Sequence, residues 1–130
     1  MRFLLVCLGG VLGSGLRYGI GLLAARFWGL SFPWGTLLVN LTGCLLISMV
    51  FALAATTAEQ SALISPELRL FLATGVMGGL TTYSAFNHEV LTLLQGSAFP
   101  RALGYVALTF VGCLVMGLLG GALGRAALAR

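Results

Sequence analysis

Apolar residues dominate four stretches of the chain, and short connections separate these stretches. A helix needs about 20 consecutive apolar residues to cross the hydrocarbon core of a bilayer. The stretches that reach this length lie at about 3–25, 34–55, 68–94 and 102–124. The connections between them leave no room for a soluble domain. The pattern therefore predicts an all-α membrane protein in which residues 1–130 form a single domain of four transmembrane helices.

The third stretch contains an interruption at residues 75–86, which read GVMGGLTTYSAF. A Gly-Gly pair weakens a helix by about 1 kcal/mol per glycine relative to alanine, and threonine and serine hydroxyls compete for backbone hydrogen bonds. In hydrocarbon, an opened backbone is tolerated only where protein buries it or a polar cavity solvates it. We therefore predict a broken third helix whose freed polar groups belong to a site. The alternative is that the glycines only allow close helix packing.

The composition indicates that the solvent of this chain is lipid. Hydrophobic residues make up 59% of the chain and charged residues 8%, whereas a soluble domain carries about 25% charged residues. The basic residues are seven arginines, and they form no cluster of the kind that nucleic-acid binding requires. Cys7, Cys44 and Cys113 fit neither a disulfide framework nor a zinc pattern, so we interpret them as small apolar residues.

The arginines are only weakly biased toward one side of the membrane. Four spans place both chain termini on one side of the membrane, and that side also carries Glu59 and Glu67. The arginines of this side are Arg2, Arg69, Arg125 and Arg130. The opposite side has two arginines, and arginine bias sets orientation. So weak a bias permits insertion in both orientations and hence an antiparallel homodimer with a two-fold axis in the membrane plane.

Polar side chains inside the second span indicate a function, because such groups are costly in lipid. Thr36, Asn40 and Gly43 share one helical face. Asn40 brings an amide donor and an acceptor oxygen to the middle of the membrane. Two interpretations stay open for it: an interhelical hydrogen bond, worth about 0.6 kcal/mol on average, or a place in a polar pathway.

The fourth span and the end of the third span offer a second set of candidate groups. Tyr105, Thr109 and Cys113 recur every four residues on one face, which suits a groove for a small hydrated solute. A tyrosine anchor and a threonine bonded to its own helix are the alternatives. Tyr83 and Phe86 project to one side, where their positive ring edges can face an anion or pack in the core.

The sequence offers no catalytic constellation, which makes an enzyme the weakest function class. Arg17 lies near the end of its span, where a long side chain can reach the headgroups. His88 and Glu89 are neighbours, but a lone histidine beside a glutamate does not make a catalytic site. The chain has no aspartate, no nucleophile with an orienting partner and no metal-ligand spacing.

Three ordered motifs resemble the signatures of the Fluc family of prokaryotic fluoride channels, also called CrcB proteins. They are GGVLGSGLRY at 9–18, GTLLVNLTG at 35–43 and GVMGGLTTYSAF at 75–86, so the resemblance covers nearly the whole chain. It implies a passive channel that exports cytoplasmic fluoride across the prokaryotic plasma (inner) membrane and so reduces its toxicity. It also implies an antiparallel, dual-topology homodimer of four-span subunits with a broken third helix and two anion pathways.

The resemblance further implies roles for individual residues. Backbone carbonyls of Gly78 and Thr81 from both subunits would hold a structural sodium ion that is not transported. The ring edges of Tyr83 and Phe86 would face the fluoride ion, and Asn40 would donate its amide to it. The remaining pathway residues would be Thr36, Ser84, Tyr105 and Thr109 along a polar track, Arg17 at a vestibule and Glu89 at the end of the third span.

Three positions depart from the family's pattern. Tyr83 replaces the usual first phenylalanine, Ala85 replaces a threonine, and Cys113 stands where a serine is common. The tyrosine keeps an aromatic edge but adds a hydroxyl at the first anion position. The other two changes make the track less polar.

Two further function classes compete with a fluoride channel. A small four-span multidrug or cation transporter would couple export to protons through a carboxylate deep in a span, yet the only acids are Glu59, Glu67 and Glu89. A purely structural bundle would leave the interruption and Asn40 without a purpose. Passive fluoride leak from liposomes separates the three classes, since neither alternative predicts it.

Overall fold

The computed structural model describes residues 1–55 and 63–129, and this part of the chain is helical apart from its connections. Glu59 and Arg130, which entered the charge balance above, lie outside the described residues. We number the helices α1 to α5. They are α1 Arg2–Trp28, α2 Trp34–Leu53, α3 at 66–80, α4 Tyr83–Gln95 and α5 Phe99–Leu128. Helix α3 consists of an α-helical turn at Pro66–Arg69, π-helical turns at Leu70–Met77 and a last α-helical turn at Gly78–Leu80.

Within the described residues, three helices are long enough and apolar enough to cross a membrane: α1, α2 and α5. Many of their large apolar side chains face outward; Val11 is 72% exposed and Leu118 is 74% exposed. Such surfaces suit acyl chains and not water. The chain is therefore a multi-pass membrane protein. The third predicted span is divided between α3 and α4, and α4 has only 13 residues, too few to cross the hydrocarbon core alone.

The predicted span ends are close to the helix ends, and the differences have a local cause. Helix α5 begins three residues before the predicted span and ends four residues after it. Hydropathy marks only the apolar part of a helix, whereas α5 starts with Pro100 in its first turn and continues past Arg125. A proline in the first turn is already set to helical φ. The fourth predicted span is thus the core of a longer helix.

Helices α1 and α3 approach until their backbones touch. A Cβ atom placed on Gly9 would lie 2.8 Å from the Cα of Gly75, and one placed on Gly75 would lie 2.8 Å from the Cα of Gly9. The exposed Arg2 and Glu67 side chains meet at 3.9 Å at the start of the two helices. Their contact agrees with the prediction that both residues lie on one side of the membrane.

The glycines of 75–86 do not break the third helix, which corrects our expectation. Helical backbone continues through Gly75, Gly78 and Gly79 and ends at Leu80. Close packing against α1 accounts for Gly75, so the packing alternative holds for that residue. The interruption itself is present, but it lies at the threonines that follow.

A small apolar core fixes the interruption against α2. Val39 packs with Val76, Met77 and Leu80, and all four side chains are buried. Because Leu80 is the last residue of α3, this cluster holds the open end of that helix beside the middle of α2. The packing therefore positions the candidate site.

Candidate functional site

The centre of the site is a two-residue break between α3 and α4. Thr81 has φ −79° and ψ 153°, and Thr82 has φ −153° and ψ 118°, so both backbones are extended. The Thr82 hydroxyl accepts a hydrogen bond from the Ala85 backbone N–H at 3.2 Å. A threonine that bonds the third helical N–H is an N-cap. The sequence Thr-Thr therefore ends one helix and starts the next.

Asn40 of α2 bonds the backbone at this break with both ends of its amide. Its Oδ1 accepts from the Thr82 backbone N–H at 2.9 Å, and its Nδ2 donates to the Thr82 carbonyl at 3.2 Å. Asn40 and Thr82 are both buried. Buried backbone polar groups need partners, above all in lipid. Asn40 therefore makes interhelical hydrogen bonds, as the first of the two interpretations predicts.

The break releases two carbonyls from their usual helical donors. The Thr82 N–H donates to Asn40 and not to the carbonyl of Gly78, four residues earlier. In the same way the Ala85 N–H donates to the Thr82 hydroxyl and not to the carbonyl of Thr81. Gly78 is also open on its outer side. Apart from its own helix backbone, no described atom would lie within 4 Å of a Cβ atom placed on Gly78. Gly78 and Thr81 are the two residues named above as sodium ligands.

A groove of about 640 Å³ runs between α2, α4 and α5 beside the break. Among its lining residues are four of the predicted pathway residues, Asn40, Tyr83, Phe86 and Thr109, and none of its lining residues carries a formal charge. The Thr109 hydroxyl is buried and finds no hydrogen-bond partner among the described residues. Such a group costs about 1–3 kcal/mol if it stays unpaired. The groove therefore has an uncharged, partly polar wall, and the unpaired Thr109 hydroxyl is buried within that wall.

Three aromatic rings lead from the surface of the chain into its interior. The centroids of Tyr83 and Phe86 are 5.6 Å apart with planes tilted by 45°, and those of Phe86 and Tyr105 are 5.1 Å apart with a tilt of 56°. Tyr83 is 79% exposed, whereas Tyr105 is 0% exposed. The prediction that Tyr83 and Phe86 project to one side is confirmed. The ring row also extends to Tyr105, which the sequence had placed only on the polar track.

Glu89 joins three helices beyond the ring row. Its Oε1 accepts from the Thr36 hydroxyl at 2.7 Å, and its Oε2 accepts from the Tyr105 hydroxyl at 2.6 Å. These are short, charge-assisted bonds that hold α2, α4 and α5 together. The sequence named all three residues but did not predict that they bond to one another. Glu89 follows Phe86 by three positions, so the two residues share a helical face. This spacing could have indicated that Glu89 lies near the aromatic rings.

Five of the nine predicted pathway residues do not line the groove: Thr36, Ser84, Tyr105, Glu89 and Arg17. The Ser84 hydroxyl is 3.2 Å from the Thr82 hydroxyl, but Ser84 does not line the groove. Arg17 lines a separate cleft of about 300 Å³ together with Thr36 and Ala85. The structure therefore does not bring Arg17 to Asn40 and Phe86.

Sequence reasoning missed two residues of the site. Thr82 was part of a motif but was given no role, although its backbone is the partner of Asn40. Cys44 was interpreted only as a small apolar residue, yet it lines the groove together with Cys113. The signal for Cys44 was its spacing, since it follows Asn40 by one helical turn.

Comparison with known proteins gives a family and close relatives. Residues 4–121 match the family model described as "CrcB-like protein, Camphor Resistance (CrcB)". The chain is similar to a protein of Anaeromyxobacter sp. (strain K) named "Fluoride-specific ion channel FluC", with 52% identity over 88% of this chain and 87% of the relative. A protein of that name from Thermus thermophilus is 48% identical over 90% of this chain and 86% of the relative. Another, from Sorangium cellulosum (strain So ce56), is 44% identical over 92% of this chain and 91% of the relative.

Proposed function

The chain belongs to the CrcB-like protein family, and on this premise we propose that it is a passive fluoride channel of the prokaryotic plasma (inner) membrane. The family resemblance that the three motifs carry is confirmed. So is the expectation of a channel in place of an enzyme, because the similar proteins are named as fluoride-specific ion channels.

A passive channel is sufficient to lower cytoplasmic fluoride. Hydrogen fluoride is a weak acid that crosses membranes undissociated and releases its anion at cytoplasmic pH. The negative interior then drives the anion outward by about 2.3 kcal/mol per charge for every 100 mV. Export therefore requires neither a nucleotide nor a coupled ion, and it reduces the toxicity of fluoride.

The observation that carries the proposal is the uncharged groove at the break. An anion that enters it lies among Asn40, Phe86 and Thr109, whose side chains carry an amide, an aromatic ring and a hydroxyl. Asn40 keeps one amide hydrogen beyond the one that it donates to Thr82, because an amide nitrogen carries two. Conduction needs binding that is favourable enough for entry and weak enough for exit. Neutral donors and ring edges meet that requirement better than a fixed positive charge would.

The freed carbonyls at the break support a structural sodium ion. Carbonyl oxygens are the ligands that hard cations prefer, and Gly78 and Thr81 each have a carbonyl without its helical donor. Two such oxygens from one chain are too few to surround a cation, and a two-fold partner would supply two more. The ion would hold the two breaks together by its charge and would not be transported.

The same features support an antiparallel homodimer. The predicted connections carry only a weak arginine bias, and Gly78 and Tyr83 lie exposed in the single chain. In this proposal residues 1–130 form one four-helix transmembrane domain, in which α3 and α4 together make the third, broken crossing. A second copy in the opposite orientation would cover the break and close the groove.

The transporter alternative has less support. Glu89 is the carboxylate nearest the groove in the part of the chain that the structure describes, and hydrogen bonds from Thr36 and Tyr105 occupy both of its oxygens. Such a carboxylate is held in place by α2 and α5 and does not face a substrate in the groove.

Efflux from liposomes tests the function directly. We expect purified protein in sealed vesicles to release fluoride down its gradient once valinomycin and potassium balance the charge, and to release chloride far more slowly. Vesicles without protein set the leak rate. Retention of fluoride by vesicles that contain correctly folded protein would exclude the proposal, and fluoride release that requires a proton gradient would favour the transporter.

A further inference from the structure

Two cysteine thiols lie in the groove and are not used by the proposed pathway. Cys44 of α2 and Cys113 of α5 are both free thiols, partly buried, and both line the groove. Cys7 is also free, but it lies exposed on α1 and does not line the groove. The chain therefore has one candidate thiol pair and one separate thiol.

The packing of α2 against α5 brings the two thiols together. Leu41 of α2 contacts Gly112 of α5, and further along both helices Ser48 contacts Gly117. The two helices therefore run parallel. A Cβ atom placed on Gly112 would lie 2.7 Å from the Leu41 side chain, and one placed on Gly117 would lie 3.4 Å from the Ser48 hydroxyl. Cys44 and Cys113 lie between these two contacts.

The lining of the groove agrees with this bracketing. Cys44 and Cys113 both belong to that lining, one from each helix. Each cysteine also lies one helical turn beyond a groove residue, Cys44 after Asn40 and Cys113 after Thr109. The pair therefore faces the groove just past the candidate anion position.

We propose that Cys44 and Cys113 together bind a soft, two-coordinate divalent cation, the mercuric ion. Thiolate sulfur selects soft metals, and mercuric ion is satisfied by two sulfurs in a line. On binding, two S–H bonds break, two S–Hg bonds form, and two protons leave through the groove. Nothing is oxidised or reduced.

The balance of charge favours this ion over monovalent soft cations. Two thiolates and one divalent cation form a neutral unit, whereas a monovalent silver or copper ion with two thiolates leaves a negative charge. A net charge is costly in a low-dielectric interior unless it is paired. A neutral unit can therefore stay in the groove between α2 and α5.

This inference rests on the proposed function in one respect, its effect on fluoride. A mercury ion held between α2 and α5 would fill the groove one turn from Asn40 and Thr109 and so obstruct the anion. The binding itself does not depend on fluoride conduction, so it can be measured separately.

The binding test uses full-length Cys7→Ser protein in detergent, so that the pair supplies the only thiols. The protein is incubated with mercuric chloride, an excess of the monothiol 2-mercaptoethanol is added, and the metal retained per chain is counted by plasma mass spectrometry. We expect one mercury per chain to resist the competitor, since two sulfurs on one scaffold hold it more tightly than one. The Cys7→Ser protein with a further Cys44→Ser or Cys113→Ser change should release it. Equal release by the two-thiol protein and both one-thiol variants would overturn the proposal.

Two controls separate the possible outcomes. Size-exclusion profiles that match the wild type show that the serine variants are folded, and loss of mercury from folded variants supports the site. In liposomes treated with mercuric chloride and then with excess 2-mercaptoethanol, mercury should still suppress fluoride efflux through the Cys7→Ser protein, whereas either one-thiol variant should return to its rate without mercury. Retained mercury with unimpaired efflux would support the site and contradict the groove as the fluoride route. Absence of efflux before mercury is added would contradict the proposed function, while the count of mercury per chain would still decide the site.

Discussion

The two halves of residues 75–86 do opposite things to the backbone. In the glycine half, helical hydrogen bonds continue and Gly75 brings α3 against α1 without a side chain between them. In the threonine half the helical bonds stop, and Thr82 turns its N–H and carbonyl to Asn40. One half therefore gives a close apolar contact with α1, and the other gives backbone polar groups that bond to α2.

This difference teaches that small residues and polar residues in one motif need not share a purpose. The close contact between α1 and α3 fixes where α3 ends. The end of α3 then fixes where backbone polar groups become available to α2. A change in the glycine half should therefore act first on folding, whereas a change in the threonine half should act first on conduction.

The largest effect is expected at Asn40, on the polar side of this comparison. Asn40→Asp should reduce fluoride efflux from liposomes about a thousandfold. A like charge at about 4 Å costs about 4 kcal/mol at an effective dielectric constant of 20, and the carboxylate also loses the donor to the Thr82 carbonyl.

Thr42→Val is the matched control, because the Thr42 hydroxyl bonds to its own helix at the Leu38 carbonyl. Its efflux should equal that of the wild type. Wild-type efflux through Asn40→Asp would remove Asn40 from the pathway.

The next largest effect is expected on the glycine side, at Gly9. Gly9→Ala places a methyl group 2.6 Å from the Phe71 carbonyl and 2.8 Å from the Cα of Gly75. Neither backbone atom can rotate away, so we expect a loss of about 3 kcal/mol, near the upper end for overpacking. Unfolding in detergent, followed by circular dichroism, measures this loss.

Gly15→Ala gives the matched control on the same helix, because nothing lies within 4 Å of its added methyl group in the described chain. Alanine is the better helix former by about 1 kcal/mol, so this variant should be as stable as the wild type or more so. If Gly9→Ala and Gly15→Ala have the same free energy of unfolding, the close contact between α1 and α3 does not contribute the expected stability.

A smaller effect is expected from the ring row. Phe86→Ile keeps the apolar bulk but removes the ring that lies between Tyr83 and Tyr105. Aromatic pairs contribute about 0.5–1.5 kcal/mol beyond their burial, so loss of a comparable edge contact with the anion should slow fluoride efflux about tenfold. Phe51→Ile, in α2 but outside the groove, should leave the rate unchanged. Equal efflux rates for the two variants would show that Phe86 only packs in the core and does not contact the anion.

The smallest effect is expected at the cap of α4. Thr82→Val removes the hydroxyl that accepts from the Ala85 N–H but leaves the backbone bonds to Asn40 in place. Loss of an N-cap costs about 1 kcal/mol. Hydrogen exchange should therefore speed up at the start of α4 and stay unchanged in α1 and α3.

Thr92→Val serves as the control for this change. Its exposed hydroxyl bonds back to the His88 carbonyl within α4, so its removal should alter stability by less than about 0.5 kcal/mol. Exchange at the start of α4 that is as slow in Thr82→Val as in Thr92→Val would show that the Asn40 bonds suffice to hold the break.

Much of the fold and the family followed from the sequence alone. The spans at 3–25, 34–55 and 102–124 lie within helices or within two residues of their ends, because hydropathy and helix length are properties of neighbouring residues. The motif at 75–86 likewise predicted an interruption, since glycines and hydroxyl residues act on the backbone next to them. The homodimer and the sodium ion stay predictions.

Only the tertiary structure decided how the candidate groups meet. It placed the break at Thr81 and Thr82, paired Asn40 with a backbone 42 positions away, and joined Glu89 to Thr36 and Tyr105. It also set Cys44 beside Cys113 in one groove. Each of these pairings depends on how far one helix is rotated and shifted against another. That rotation and shift come from contacts between distant residues, such as Gly9 and Gly75, which no local pattern contains.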